Sequence, residues 1–184
     1  MASGNGLSIV TLFPAQAGDS DLMSTVTALI NDVYEVAEKG LWAEGTTRTT
    51  VEDVAALTRA GEITTARLEG KIVGCIRVQQ LSDQVCEFGM LAASFEQRGT
   101  GIGRELVQFA EQHAREIGRE VMQLEVLVPR EWAHPSKEFL IGWYTRIGYQ
   151  IVRKGTIEES YPDLAPHLAT PCDFLVYHKS VRYH

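Results

Sequence analysis

The chain has 184 residues, enough for one domain with a full hydrophobic core, and its apolar and charged fractions of 45% and 22% are those of an ordinary globular protein. A net charge of −7 argues against nucleic acid as the main partner and is compatible with a cationic acceptor. No apolar run is long enough for a membrane span, Met1 to Ser8 lacks the basic and apolar parts of a signal peptide, and Cys75, Cys86 and Cys172 form no metal or redox spacing.

These three cysteines each sit in an apolar run and read as small buried residues, so the expectation is a cytoplasmic protein with no metal site and no membrane partner.

In chain order, Leu7 to Leu12 alternates as a first strand. Asp19 to Asp21 offers helix caps, and Leu22, Val26, Leu29, Ile30 and Val33 recur at helical spacing until Gly40. Leu41 to Thr50 reads as a loop holding Trp42, Glu44 and Arg48. Thr50 with Asp53 resembles a capping box and opens a short helix ending at Gly61. Ile63 to Leu68 and Ile72 to Leu81 read as a hairpin, and Val85 to Ala93 as a third antiparallel strand. A helix from Gly101 carries Ile102, Leu106, Phe109, Ala110, Ala114 and Ile117 on one stripe. A strand from Val121 to Val128 follows, parallel to the preceding one. Ser136 is the expected cap of a helix running to about Ile147. Tyr149 to Arg153 and Phe174 to His178 close the series, with a proline-containing link in which Leu164 to Ala169 makes one helical turn. The whole of 1–184 reads as one α/β domain.

The most informative stretch runs from Leu91 to Arg104. A buried strand enters a polar loop, and the loop opens a helix. The first N–H groups of a helix have no intrahelical partners, and the helix dipole adds positive charge there. Gly99, Gly101 and Gly103 keep side chains off that backbone, and Arg98 and Arg104 flank it. A nucleotide P-loop would need Lys after the last glycine, where Arg104 stands. A dinucleotide fingerprint would need glycine at that same position. The spacing that fits is Arg98, two residues, Gly101, one residue, Gly103.

That pattern, after the strand Leu91-Ala92-Ala93 and before an amphipathic helix, closely resembles the acetyl-CoA loop of the GNAT superfamily of N-acetyltransferases. Trp143-Tyr144-Thr145-Arg146-Ile147-Gly148-Tyr149 is similar to a second signature of that family, and Asn31, Tyr34, Glu38 and Trp42 are similar to residues of its small bacterial members. The resemblance implies a mixed, largely antiparallel twisted sheet with flanking helices and a splayed central strand pair. It implies acetyl-CoA as cofactor, held by Leu91, Ala92, Ala93, Arg98, Gly99, Thr100, Gly101, Ile102, Gly103 and Arg104.

Acetyl transfer needs a polarised thioester carbonyl, a proton acceptor and a proton donor. A backbone N–H of Leu91 to Ala93 can face the thioester oxygen, with Gly89 as the expected bulge that interrupts pairing. The resemblance makes Tyr144 the general acid. Glu87, on the strand entering the loop, is the favoured base, and Glu125 in the next strand is its rival. Trp42, Arg48, Trp132 and His134 are the candidate acceptor contacts, Arg48 for a carboxylate or phosphate. The implied reaction is N-acetylation of a small-molecule primary amine. Acetylation of a protein lysine or N-terminus, and a non-catalytic acyl-CoA-binding module, remain alternatives. No nucleic acid is expected as a partner, and a homodimer is left open.

Overall fold

The structure, a computed structural model, describes residues 6–183. Seven strands form one sheet: β1 Leu7–Thr11, β2 Ile63–Leu68, β3 Lys71–Gln80, β4 Val85–Ala93, β5 Val121–Pro129, β6 Gln150–Gly155 and β7 Cys172–Ser180. Their order is β1-β2-β3-β4-β5-β7-β6, and every neighbouring pair is antiparallel except β4 and β5. The helices are α1 Ser20–Ala37, α2 Val51–Arg59, α3 Ile102–Glu116, α4 Pro135–Arg146 and the short α5 Ile157–Ser160. The mixed α/β class and largely antiparallel sheet are as expected.

Local chemistry sets the helix ends. Asp19 accepts from the Leu22 N–H to cap α1, and Thr50 accepts from the Asp53 N–H to cap α2. Ser136 does not cap α4. His134 occupies the cap position and Pro135 the first turn, where the missing proline N–H costs nothing. The link after β6 forms α5 and a 3-10 turn at Ala165–His167, within the stretch expected to turn once.

Alternation along the strands builds a core on each face of the sheet. Ile76, Val78, Phe88, Met122, Leu124, Val126, Leu175 and Tyr177 pack beneath α3 and α4 with Leu106, Ala110, Tyr144 and Tyr149. On the other face Cys75, Met90 and Ala92 pack with Val26 and Ile30 of α1 and Val54 of α2. A third cluster, with Leu41, Leu127, Ile157, Phe174 and Val176, covers the β5–β7 end of that face. All three cysteines are buried free thiols.

Two features break the regularity of β4. Its pairing with β5 stops after Val85–Val121, Cys86–Met122 and Glu87–Gln123, so the strands part from Phe88 onward. Opposite Ile76 two residues of β4 face one of β3, because Cys75 pairs Ala92 while Arg77 pairs Gly89. The bulge therefore lies at Met90 and Leu91, not at Gly89. Met90 adopts φ 48°, an uncommon left-handed conformation for a side chain of its size. The extra residue inverts the alternation. Phe88 points into the α3 core, while Met90 and Ala92 point into the α1 core.

Gly74 of β3 supports the start of α3. A Cβ there would meet Ile102 at 2.9 Å, the Ala92 carbonyl at 3.0 Å and Leu106 at 3.0 Å. Gly74→Ala should destabilise the fold by about 1–3 kcal/mol, the usual cost of overpacking. Urea unfolding followed by circular dichroism measures it. An unchanged midpoint would show that the first turn of α3 yields freely.

Candidate active site

The parting of β4 and β5 opens a cleft of about 1360 Å³, and every element around it contributes a wall. At one end lies the loop from Ser94 to Gly101. Within it the Arg98 N–H bonds the Phe95 carbonyl and the Thr100 N–H bonds that of Gln97. Among the described residues, the N–H groups of Gly99, Gly101, Ile102, Gly103 and Arg104 make no backbone hydrogen bond. Gly99 and Gly101 need glycine for their φ values of 79° and 86°, and nothing stands within 4 Å of a Cβ at either position. Free donors, a helix N-terminus, and Arg98 and Arg104 on the cleft wall together suit a phosphate-bearing ligand. Leu91, Ala93 and Gly103 also line the cleft. Ala92 points the other way into the α1 core, and Thr100 turns its hydroxyl onto the Gln97 carbonyl at 2.6 Å, so neither side chain is among the lining.

Tyr144 comes from α4, on the α3 side of the sheet. Its ring packs against Phe88, Trp143 and Tyr149 at centroid distances of 6.0, 5.0 and 6.0 Å. Burial drives its pKa up, as does the nearby Tyr34, so the phenol stays protonated. Tyr34 on α1 is pushed up to about 12, chiefly by burial, although the Arg48 guanidinium opposes this. Arg48 stacks 5.1 Å from the Tyr34 ring centroid.

The carboxylates stand on the opposite face. Glu87 is 6% exposed and central to a ladder across four strands. Gln79 donates to its Oε1 at 2.9 Å and Gln123 to its Oε2 at 2.6 Å. Gln79 in turn accepts from Arg77 at 2.9 Å, and Gln123 Oε1 meets His178 Nε2 at 2.8 Å. Because the Gln123 amide nitrogen donates to Glu87, its oxygen must accept, which places a proton on His178 Nε2. Glu125, two residues along β5 from Gln123, shares that face. Tyr161 donates to its Oε1 at 3.1 Å, and its Oε2 is buried with no donor. Glu125 is pushed up to about 8, first by desolvation and then by the neighbouring Glu87 carboxylate. With both Glu87 oxygens already accepting amide protons, a shared proton belongs on Glu125. Burial and Glu125 together push the Tyr161 phenol up as well.

The acceptor contacts expected from sequence divide. Trp42 and Arg48 line the cleft. Trp42 donates to Glu38 at 3.2 Å, and Glu38 forms a buried ion pair with Lys137 of α4. Trp132 and His134 are not among the cleft residues. Trp132 stacks on His134 at 5.3 Å, lies against Gly40 and donates to Thr170 at 3.0 Å. His134 bonds the Lys39 carbonyl at 3.0 Å. The pair fastens the end of α1 to the start of α4. Sequence reasoning gave no role to Tyr161, Gln79, Gln123 or Lys137. Tyr34, already singled out with Asn31 and Glu38, falls three residues after Asn31 on one face of α1, and Glu38 follows as the C-cap.

The family model described as Acetyltransferase (GNAT) family matches residues 27–149. A search of curated protein sequences gives no match. Among solved structures, the ribosomal-protein-S18-alanine N-acetyltransferase from Escherichia coli is 12% identical, with a TM-score of 0.66 over 97% of this chain and 96% of its own. An aminoglycoside 6'-N-acetyltransferase complexed with coenzyme A is 15% identical, with a TM-score of 0.67 over 89% and 93%. The yncA protein of Salmonella typhimurium, solved with its cofactor acetyl-CoA, is 14% identical, with a TM-score of 0.67 over 97% and 95%. At these identities the likeness is one of fold.

The Glu125 pKa predicts a pH dependence of stability. Between about pH 4.5 and about pH 8 the unfolded carboxyl has lost its proton and the folded one keeps it. Unfolding then releases a proton, so stability falls as pH rises through that window. Glu125→Gln removes the effect. The melting temperature of the variant should gain on wild type steadily from pH 5 to about pH 8, read by thermal melts across the range. Parallel curves would mean that Glu125 ionises normally.

Proposed function

The chain belongs to the GNAT acetyltransferase family, and from that premise we propose that it transfers acetyl from acetyl-CoA to a primary amine on a small molecule. One observation carries this reading. The gap between β4 and β5 ends on the donor-rich loop at one side and opens onto Tyr144 and the Glu87–Glu125 pair at the other.

Acetyl-CoA supplies an activated thioester, whose carbonyl carbon gains a bond to nitrogen and loses its bond to sulfur. The loop N–H groups with Arg98 and Arg104 hold its phosphates, and the backbone of Leu91 to Ala93 holds the arm leading to the thioester. Glu125, as carboxylate, takes one proton from the acceptor ammonium. A carboxyl poised near pH 8 suits that task, whereas both Glu87 oxygens are occupied by amide donors, so Glu125 is the base and Glu87 its neighbour. Tyr144 gives its proton to the departing sulfur and regains one from the nitrogen. Burial keeps that phenol in its protonated form, the form that can donate. The whole chain acts as one such domain, and its three free buried thiols support a reducing cytoplasmic setting. Among the described residues no helix is long and apolar enough to cross a membrane.

Thiol release from acetyl-CoA on addition of amines tests the activity. Tyr144→Phe should lower kcat by about 10²–10⁴ while KM for acetyl-CoA changes little. A Phe variant running at full rate would leave Tyr144 a packing residue.

The acidic limb of the kcat/KM profile separates the carboxylates. Glu125→Gln should abolish that limb. Glu87→Gln should shift it to lower pH, because removing a neighbouring negative charge lowers the Glu125 pKa. A limb lost only in Glu87→Gln would transfer the role to Glu87.

A further inference from the structure

The acceptor side of the cleft carries a cation with no anion to meet. Four cations reach that wall: Arg77 from a strand, Lys137 from α4, Arg48 from its loop, and Lys39, exposed just after the end of α1. Lys137 is spent on Glu38, and Arg77 on Glu62 at 2.7 Å. Arg48 makes no ion pair among the described residues. It is nevertheless held in place, stacked on the Tyr34 ring. Arg48, Tyr161 and Glu125 line the same cleft, and Tyr161 hydrogen-bonds Glu125. A guanidinium with no ion pair therefore shares one cleft with the carboxyl pair that would receive an ammonium.

A plain monoamine would satisfy the carboxyl pair and leave Arg48 facing water. A molecule carrying both an amine and an anion satisfies both. A carboxylate fits the second charge better than a phosphate monoester does. One guanidinium with a face covered by an aromatic ring presents one donor edge, matched to a monoanion. A phosphate dianion would ask for a second cation held in place, whereas Lys137 and Arg77 are already paired and Lys39 is exposed, with no ring or ion-pair partner among the described residues to fix it.

Resting on the acetyltransferase reading above, we propose that the acceptor is a small zwitterion, an amino acid or close analogue. Its carboxylate lies on Arg48 and its amine on Glu125. The transfer balances as before: the amine nitrogen gains the acetyl carbon, sulfur leaves with one proton, and one proton passes to the carboxyl pair. Arg48 is the specificity-determining residue.

Thiol release from acetyl-CoA is measured with the intact protein and with amino acids paired with their decarboxylated amines. The set spans α-amino acids and straight-chain ω-amino acids of increasing length. In at least one pair the amino acid should lead in kcat/KM by about 10-fold to 100-fold, the usual worth of a hydrogen-bonded charge. Arg48→Gln should bring that ratio close to one, and Arg48→Lys should retain part of it. Three outcomes overturn the zwitterion while leaving the acetyltransferase standing. They are a ratio near one in every pair, a ratio that survives Arg48→Gln, and a peptide amine or aminoalkyl phosphate that outpaces every amino acid. If no amine tested gives thiol release, although coenzyme A binds by calorimetry, the acetyltransferase reading is overturned and the zwitterion with it.

Discussion

The parting of β4 from β5 after Glu87 and Gln123 is the constraint on which the site depends. In a continuous sheet, side chains on the two faces are kept apart by the backbone and cannot share a cavity. Here Tyr144 comes from the α3 side and Glu87 from the α1 side, and both open onto one cleft. Parted strands also leave backbone groups without partners, which is costly unless a ligand or water bonds them. The same gap therefore creates the demand for an extended ligand and the route by which opposite faces meet. The bulge at Met90 helps maintain it. By inverting the alternation, it places Ala92 in one core and Leu91 and Ala93 against the other, anchoring the strand on both sides with no help from β5.

Burial and charge give the cleft two unlike ends. At the loop end, unpaired N–H groups and two arginines give a positive field. At the end holding Glu87 and Glu125, charges are largely committed to each other. Lys137 answers Glu38, Arg77 answers Glu62, and Gln79 and Gln123 hold Glu87. Burying two carboxylates together is tolerable only if they share a proton, and the amides on Glu87 decide which one carries it. His178 stands at the far end of that arrangement. Its bond to the Gln123 oxygen fixes which way the amide faces, and so helps keep Glu87 an acceptor.

Features encoded over short spans were legible in the sequence. The glycine loop, the amphipathic α3, the caps of α1 and α2 and the hairpin of β2 and β3 depend on neighbours a few residues apart. Tyr144 was reachable through the motif around it. Features fixed by long-range register were not. The bulge depends on how β3 aligns with β4, so glycine at 89 misled, and Met90 took the strained position. Tyr161 lies in a proline-containing link with no periodicity and reaches the site only because that link folds back over β5 and β7. Trp132 was read as a cleft residue because its loop borders the cleft, and His134 because it stands in the loop before the last helix. Their ring stack and the carbonyl of Lys39 draw them to the α1–α4 junction instead.

The central claim is that the gap beside β4 is a binding slot for an extended thioester arm and not merely an irregular sheet. Amide hydrogen exchange over residues 88–93, with and without coenzyme A, tests it most directly. Amides bonded to β3 should be protected in both states. Those facing the gap should exchange fast in the free protein and slow sharply when coenzyme A is added. If every amide in the segment is already protected, or if coenzyme A binds and none of them slows, the slot is not where the cofactor lies.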